Sequence, residues 1–235
     1  MLKNVNPTHY SMLENFLNAY SSDSISILDS TLSLSEYTPL DLSVGNSALS
    51  KYKMTTPEGC QSYIDEVLAQ SHKKVAFGGY LEQRGIYDDF GRFEDGEQRN
   101  IHLGMDFWHD AGTKVLVPVE GRLHSFRNNS DLGNYGPTIL LEHNFDSISF
   151  YTLYGHLSME SLDGLEKGAL FRRGDTLATL GTPDINVNYA PHLHFQIIKD
   201  IQEYEGDYPG VCSQKEVDFY KKNCPNPNLL LKLKI

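Results

Sequence analysis

Pro191-His192-Leu193-His194-Phe195-Gln196-Ile197-Ile198 reads as one β-strand with two unlike faces. Side chains on a strand alternate with a period of two, so His192 and His194 leave the backbone on the same side, about 7 Å apart. Leu193, Phe195 and Ile197 go to the other side, as a sheet face buried in a core requires. The stretch separates a functional face from a core face and predicts a sheet that carries reactive groups on one surface.

The same strand chemistry extends on both sides of it. The segments 74–80, 98–107, 114–119, 121–127, 137–143, 148–155, 169–180 and 192–199 are rich in β-branched and aromatic residues, with Gly, Pro, Asn and Asp between them. That is the pattern of an antiparallel, mainly β fold. The first third is different, being rich in Ser, Asn and Leu. Tyr10, Leu13, Phe16, Leu17 and Tyr20 fall at helical spacing there, as do Tyr63, Ile64, Val67 and Leu68 behind Pro57-Glu58-Gly59. Residues 21–56 are too apolar for disorder and predict irregular chain wrapping the domain. Beyond residue 200 come a turn at 206–210, one helix over about 213–222, and an apolar tail, Leu229 to Leu233, expected to dock. The organisation predicted is an N-terminal extension with short helices (1–73), a compact antiparallel β domain (74–200) and a docked C-terminal extension (201–235).

At 235 residues a core of ordinary size can be buried without disulfides. Cys60, Cys212 and Cys224 are an odd number at unrelated spacings; they read as free thiols, with a Cys212–Cys224 bridge left open. Twenty basic against 31 acidic residues give a formal charge of -11, which repels phosphate backbones and anionic membranes, so no nucleic-acid partner is expected. No stretch is apolar enough for a membrane span. Met1-Leu2-Lys3-Asn4-Val5-Asn6-Pro7 does not begin a secretory signal, and the expectation is a cytoplasmic chain, or a periplasmic or secreted one if a signal was trimmed before this sequence was recorded.

Four histidines occur in three short segments whose local geometry suits a metal: His102-Leu103-Gly104-Met105-Asp106, Tyr154-Gly155-His156-Leu157 and His192-Leu193-His194-Phe195. His102 and Asp106 reach a common ion only if the chain bends or bulges between them, which Gly104 permits. Two imidazoles and a carboxylate suit Zn²⁺, and three protein ligands leave a fourth tetrahedral position for water. Zinc would lower the pKa of that water to about 7 and polarise a peptide carbonyl, while a neighbouring imidazole takes the proton or steadies the oxyanion. Residue spacing leaves open which of His192 and His194 binds the ion. Each motif alone is weak, since a His-x-His pair on a strand is more often solvated than ligating; their joint occurrence inside a β segment carries the reading. His9, His72, His109, His124 and His143 lack a partner motif and are assigned to surface or structural hydrogen bonding, with His109 expected at the mouth of the site.

With those motifs in view, residues 101–197 resemble the lysostaphin/LytM-type zinc metallopeptidases, a family of peptidoglycan endopeptidases. The likeness runs through 101–106, through Ala111-Gly112-Thr113-Lys114-Val115-Leu116-Val117-Pro118-Val119-Glu120-Gly121, through 153–158 and through 191–195. It implies a compact antiparallel β-sheet metallopeptidase domain with a groove, Zn²⁺ as cofactor, His102, Asp106 and His194 as metal ligands, and His156 and His192 as catalytic histidines. The implied substrate is a peptide or a peptidoglycan-derived one. Two departures bear on the groove: residues 182–191 replace a Gly/Ser-rich loop and Gly-Pro, and Gln196 stands where glutamate is frequent. The flanks 78–87 and 206–211 resemble a subfamily sometimes fused to phosphotransferase-like and aminotransferase modules, which suggests a functional link to such modules. The competing readings are a non-catalytic zinc-binding or interaction module of the same fold and, by fold analogy alone, a phosphocarrier using His156 and His192. No G-x-S-x-G elbow or phosphate-binding loop is present.

Overall fold

The computed structural model describes residues 11–85, 98–131, 133–186 and 188–234. Helix α1 (Met12–Ala19) starts at Ser11, whose hydroxyl and Glu14 form a reciprocal capping box, and it buries Leu13 and Leu17. After two 3₁₀ turns and the short strand β1 (Tyr37–Pro39), helix α2 (Pro57–Ser71) begins with Thr56 as cap and Pro57 in its first turn. It ends at His72 in the left-handed conformation, φ 55°. The two helices read from the sequence are therefore present, except that Tyr10 lies outside the described residues.

The remaining strands follow in order: β2 (Val75–Gly78), β3 (Arg99–His102), β4 (Met105–Trp108), β5 (Lys114–Leu116), β6 (Gly121–Asn129), β7 (Gly136–Phe145), β8 (Ile148–Gly155), β9 (Leu170–Phe171), β10 (Thr176–Thr179), β11 (His192–Ile198) and β12 (Val211–Ser213). A large sheet runs β1-β2-β4-β11-β8-β7-β6-β9. Every pairing in it is antiparallel except β1 with β2. β5 pairs with β10, and β3 with β12, outside that sheet. The mainly β, antiparallel architecture expected from the sequence is the one found.

Two runs read as single strands are each divided. The segment 98–107 breaks at Leu103-Gly104, so β3 joins β12 while β4 enters the large sheet. The segment 169–180 is cut by the turn at Arg172–Asp175, which contains Gly174 at φ +90°. The helix expected at 213–222 is α3 (Val217–Asn223); Ser213 ends β12 instead, and a turn closed by Glu216 N to the Ser213 carbonyl precedes the helix. The apolar tail forms α4 (Asn228–Leu231) and buries Leu230 and Leu231 in the main core. That core also takes Leu13, Leu17, Ile25, Ile27, Leu28 and Tyr37 from the first third of the chain, against Phe107, Leu193, Phe195 and Ile197 of the sheet. The apolar face predicted for β11 is thus the core face. Cys60, Cys212 and Cys224 are buried free thiols.

Register places the site. β11 lies between β4 and β8, so His194 stands opposite Asp106 on one side and Gly155 on the other, one residue before His156. His192 stands opposite Trp108.

Candidate metal centre

His102 ends β3, Asp106 is second in β4 and His194 is third in β11. Sheet pairing brings together the three atoms that matter. His102 Nε2 is 2.9 Å from His194 Nδ1 and 3.2 Å from Asp106 Oδ1, and His194 Nδ1 is 3.1 Å from the same oxygen. All three side chains are buried. Among the described residues this is the one group of three His, Cys, Asp or Glu side chains arranged to hold an ion.

What lies behind each ring fixes its protons. His102 Nδ1 donates to the Gly79 carbonyl at 3.0 Å, and a carbonyl oxygen only accepts. On the far side of His194, Nε2 lies 2.9 Å from Gln196 Oε1. The Gln196 amide is oriented by its NH₂ group, which donates to the Pro209 carbonyl at 3.1 Å, so its oxygen faces the ring and accepts. With both imidazoles neutral, His102 Nε2 and His194 Nδ1 each present a lone pair, and Asp106 Oδ1 presents another. Three acceptors then converge with no proton among them, an arrangement that a cation relieves. Tetrahedral zinc bonds of about 2.0–2.2 Å would space such donors roughly 3.3–3.6 Å apart, within a few tenths of an ångström of these contacts, so the donor set fits the ion.

The charges agree. Burial, helped by the nearby Arg84 cation, lowers the His102 pKa to about 4, so its ring is neutral at neutral pH. Burial by itself would raise the Asp106 carboxyl, but the charges beside it, the Arg84 guanidinium being the one that persists at neutral pH, hold the group well below the usual carboxylate range.

On the same strand face, His192 packs flat against Trp108, with ring centroids 5.7 Å apart, and its Nδ1 donates to the Ala190 carbonyl at 2.7 Å. His156 follows β8 with φ 63°, a backbone conformation uncommon outside glycine. Its ring lies 4.1 Å from that of His192, centroid to centroid, and its Nδ1 has no hydrogen-bond partner among the described residues. Burial lowers the pKa of both, His156 well below the ordinary value. The five side chains border one cavity of about 260 Å³, walled further by Trp108, Tyr135, Tyr189 and Tyr204.

Residues 100–206, which contain all five, match the family model described as Peptidase family M23. The likeness to that family is carried by this segment, a little under half of the chain. Among solved structures, the chain is 30% identical to a zinc containing peptidase from Vibrio cholerae, over 42% of this chain and 27% of that one, with a TM-score of 0.34. It is 23% identical to the catalytic domain of lysostaphin from Staphylococcus simulans, over 54% of this chain and 84% of that one, with a TM-score of 0.37. The chain thus spans about a quarter of the Vibrio peptidase and most of the lysostaphin domain. No curated protein matches it.

Around the M23 motifs, the structure revises some expectations and adds residues. Gly104 serves close approach: its φ is not positive, and an added Cβ would lie 2.7 Å from His194 Cε1 and Nε2 and 2.7 Å from the Phe195 carbonyl oxygen. Gly104→Ala is therefore expected to push the His194 ring out of line and weaken zinc affinity by about 10- to 100-fold, the range seen when the groups supporting a metal ligand are disturbed. Chelator competition would measure it; an unchanged affinity would mean that the ring has room to yield. His109, expected at the mouth of the site, pairs instead with Thr113 at 2.8 Å and is not among the residues lining the cavity. His143 is a structural residue, buried between the Glu120 carbonyl and Thr152, while His9 lies outside the described residues. Gly79, Glu82 and Arg84 fall in the flank 78–87, to which the sequence assigned no role at the site, and Tyr135 belongs to no motif read from it, yet Arg84 touches Asp106 and the Tyr135 ring packs 5.0 Å from that of His194.

Proposed function

We propose that this chain is a zinc-dependent peptidase in which His102, Asp106 and His194 hold the ion and His156 and His192 assist hydrolysis. The observation that carries the reading is the meeting of three buried lone pairs, beside two further imidazoles and bordering a single cavity. Zinc, when bound there, polarises a peptide carbonyl and makes water nucleophilic near neutral pH.

The other tasks follow from how the chain holds its rings. His192 commits Nδ1–H to Ala190, so Nε2 is the nitrogen left to accept a proton, and stacking on Trp108 limits its tilt. His156 carries no such commitment at Nδ1. In its neutral form it can turn an N–H toward negative charge developing on the carbonyl oxygen. The aromatic walls offer apolar surface to the stem of an extended peptide, with Arg99 and Asp207 also on the lining, and the likeness to the M23 family puts peptidoglycan-derived peptides first among the candidates. A link to phosphotransferase or aminotransferase modules has no support in the structure or the comparisons and forms no part of this reading.

The test is elemental analysis of the purified chain, joined to a cleavage screen over muropeptides and glycine-rich peptides. About one zinc per chain is expected, with hydrolysis that a chelator abolishes and added zinc restores. A zinc-loaded chain that cleaves nothing across such a panel would favour the non-catalytic module instead.

A further inference from the structure

The turn that follows β2 touches two of the three proposed ligands. Gly79 adopts φ +100°, and its carbonyl accepts the His102 Nδ1 proton. A side chain there is excluded, because a Cβ would sit 2.0 Å from Arg84 Nη2 and 2.8 Å from Glu82 Oε2. The backbone of the turn is laced to β3: Leu81 N donates to the His102 carbonyl, His102 N to Glu82 and Arg84 N to Asn100, at 2.8–3.0 Å.

Arg84 is 2% exposed. Burying a guanidinium costs several kcal/mol unless paired, and this one meets two carboxylates. Its Nη1 donates to Asp106 Oδ2 at 2.6 Å and its Nε to Glu82 Oε2 at 2.6 Å. Glu82 is steadied in turn by the Leu42 N–H, 3.0 Å from Oε1, and the guanidinium lies 5.8 Å over the Trp108 ring. The two oxygens of Asp106 are thereby divided, with Oδ2 held by Arg84 and Oδ1 turned toward His102 and His194. A carboxylate without such a hold can swing and offer a cation both oxygens.

We infer that Arg84 is a positioning residue that restricts Asp106 to one-oxygen ligation and so keeps a coordination position of the metal open. This rests on the zinc reading above. Removing the clamp raises the number of protein ligand atoms and loosens the carboxylate's aim.

The experiment loads wild type, Arg84→Met and Arg84→Lys with Co²⁺ and with Zn²⁺. Arg84→Met is expected to lose about 10- to 100-fold in zinc affinity by chelator competition. Its Co²⁺ visible bands should weaken as coordination rises from four toward five. Arg84→Lys, which keeps the charge and one donor, should recover most of both signals. A folded Arg84→Met with wild-type spectrum and affinity overturns the inference while leaving the zinc reading intact. Should Arg84→Met not fold, Glu82→Gln takes its place; it keeps an acceptor for Leu42 N but weakens the hold on Arg84, and a smaller shift in the same direction is expected. No shift in Glu82→Gln, in spectrum or in affinity, overturns it equally. A wild-type chain that takes up neither ion removes the zinc reading itself, and this inference with it.

Discussion

His194→Ala is expected to purify without zinc and to hydrolyse no peptide. The substitution takes away one of three donors from the site and leaves only His102 Nε2 and Asp106 Oδ1, 3.2 Å apart, since the other polar atom of each side chain is committed to Gly79 or Arg84. Two such donors leave a divalent ion mostly to solvent, and water competes well for it. A ligand that binds only the folded state stabilises that state by mass action, by about 4 kcal/mol when it is present at a thousand times its dissociation constant. Wild type should accordingly melt at a higher temperature with zinc added, and His194→Ala should show no such gain. The metal-free variant should also lose about 1–3 kcal/mol, because Gln196 Oε1 is left buried without its donor. Elemental analysis and melting curves with and without zinc measure both effects. A variant retaining one zinc per chain at wild-type affinity would show that the metal sits elsewhere.

Periodicity and short motifs made the larger part of this arrangement legible in advance. The alternation in 192–198 fixed which side of β11 is core and which is functional, since one face is wholly apolar and the other carries both histidines and Gln196. The places where the reading fell short share a cause: each depends on a partner distant in sequence. Gly104 marks a bend between His102 and Asp106, but nothing local says that β3 and β4 part to different sheets, because their destinations are set by β12 and β11, about 90 to 110 residues later. Gly104 was legible as a needed glycine but for a bend, whereas the ring it admits comes from across the sheet. Arg84 was the least visible. An arginine in a polar stretch is ordinarily solvated, and only the fold shows it buried against a carboxylate 22 residues away. The flank 78–87 stood out only by resemblance, and within it the pair Gly78-Gly79 marks close backbone approach without saying to what.

His156→Ala is the complementary case, a variant expected to keep its zinc and lose its turnover. His156 does not belong to the group of atoms suited to hold the ion, so metal content and affinity should stay within about threefold of wild type, less than the 10-fold or more expected for groups that do support the ion. The ring nevertheless sits in a demanding position: φ is 63°, the side chain is buried, and Nδ1 is without a partner. Such a combination is costly for stability, and unusual backbone geometry of this sort clusters at functional sites. A proton-transfer group or an oxyanion donor contributes about 10²- to 10⁴-fold to rate, so kcat should fall by that amount with little change in KM. His192→Ala should lose a similar factor. The two variants should differ in pH dependence, since the nitrogen left to accept a proton belongs to His192. His156→Ala keeps the acidic limb of the kcat profile on a lowered plateau, and His192→Ala flattens it. If instead His156→Ala abolishes that limb while His192→Ala retains it, the two rings exchange roles; if neither variant loses more than a few-fold, the pair has no part in the chemistry and the buried, strained position of His156 would need another cause.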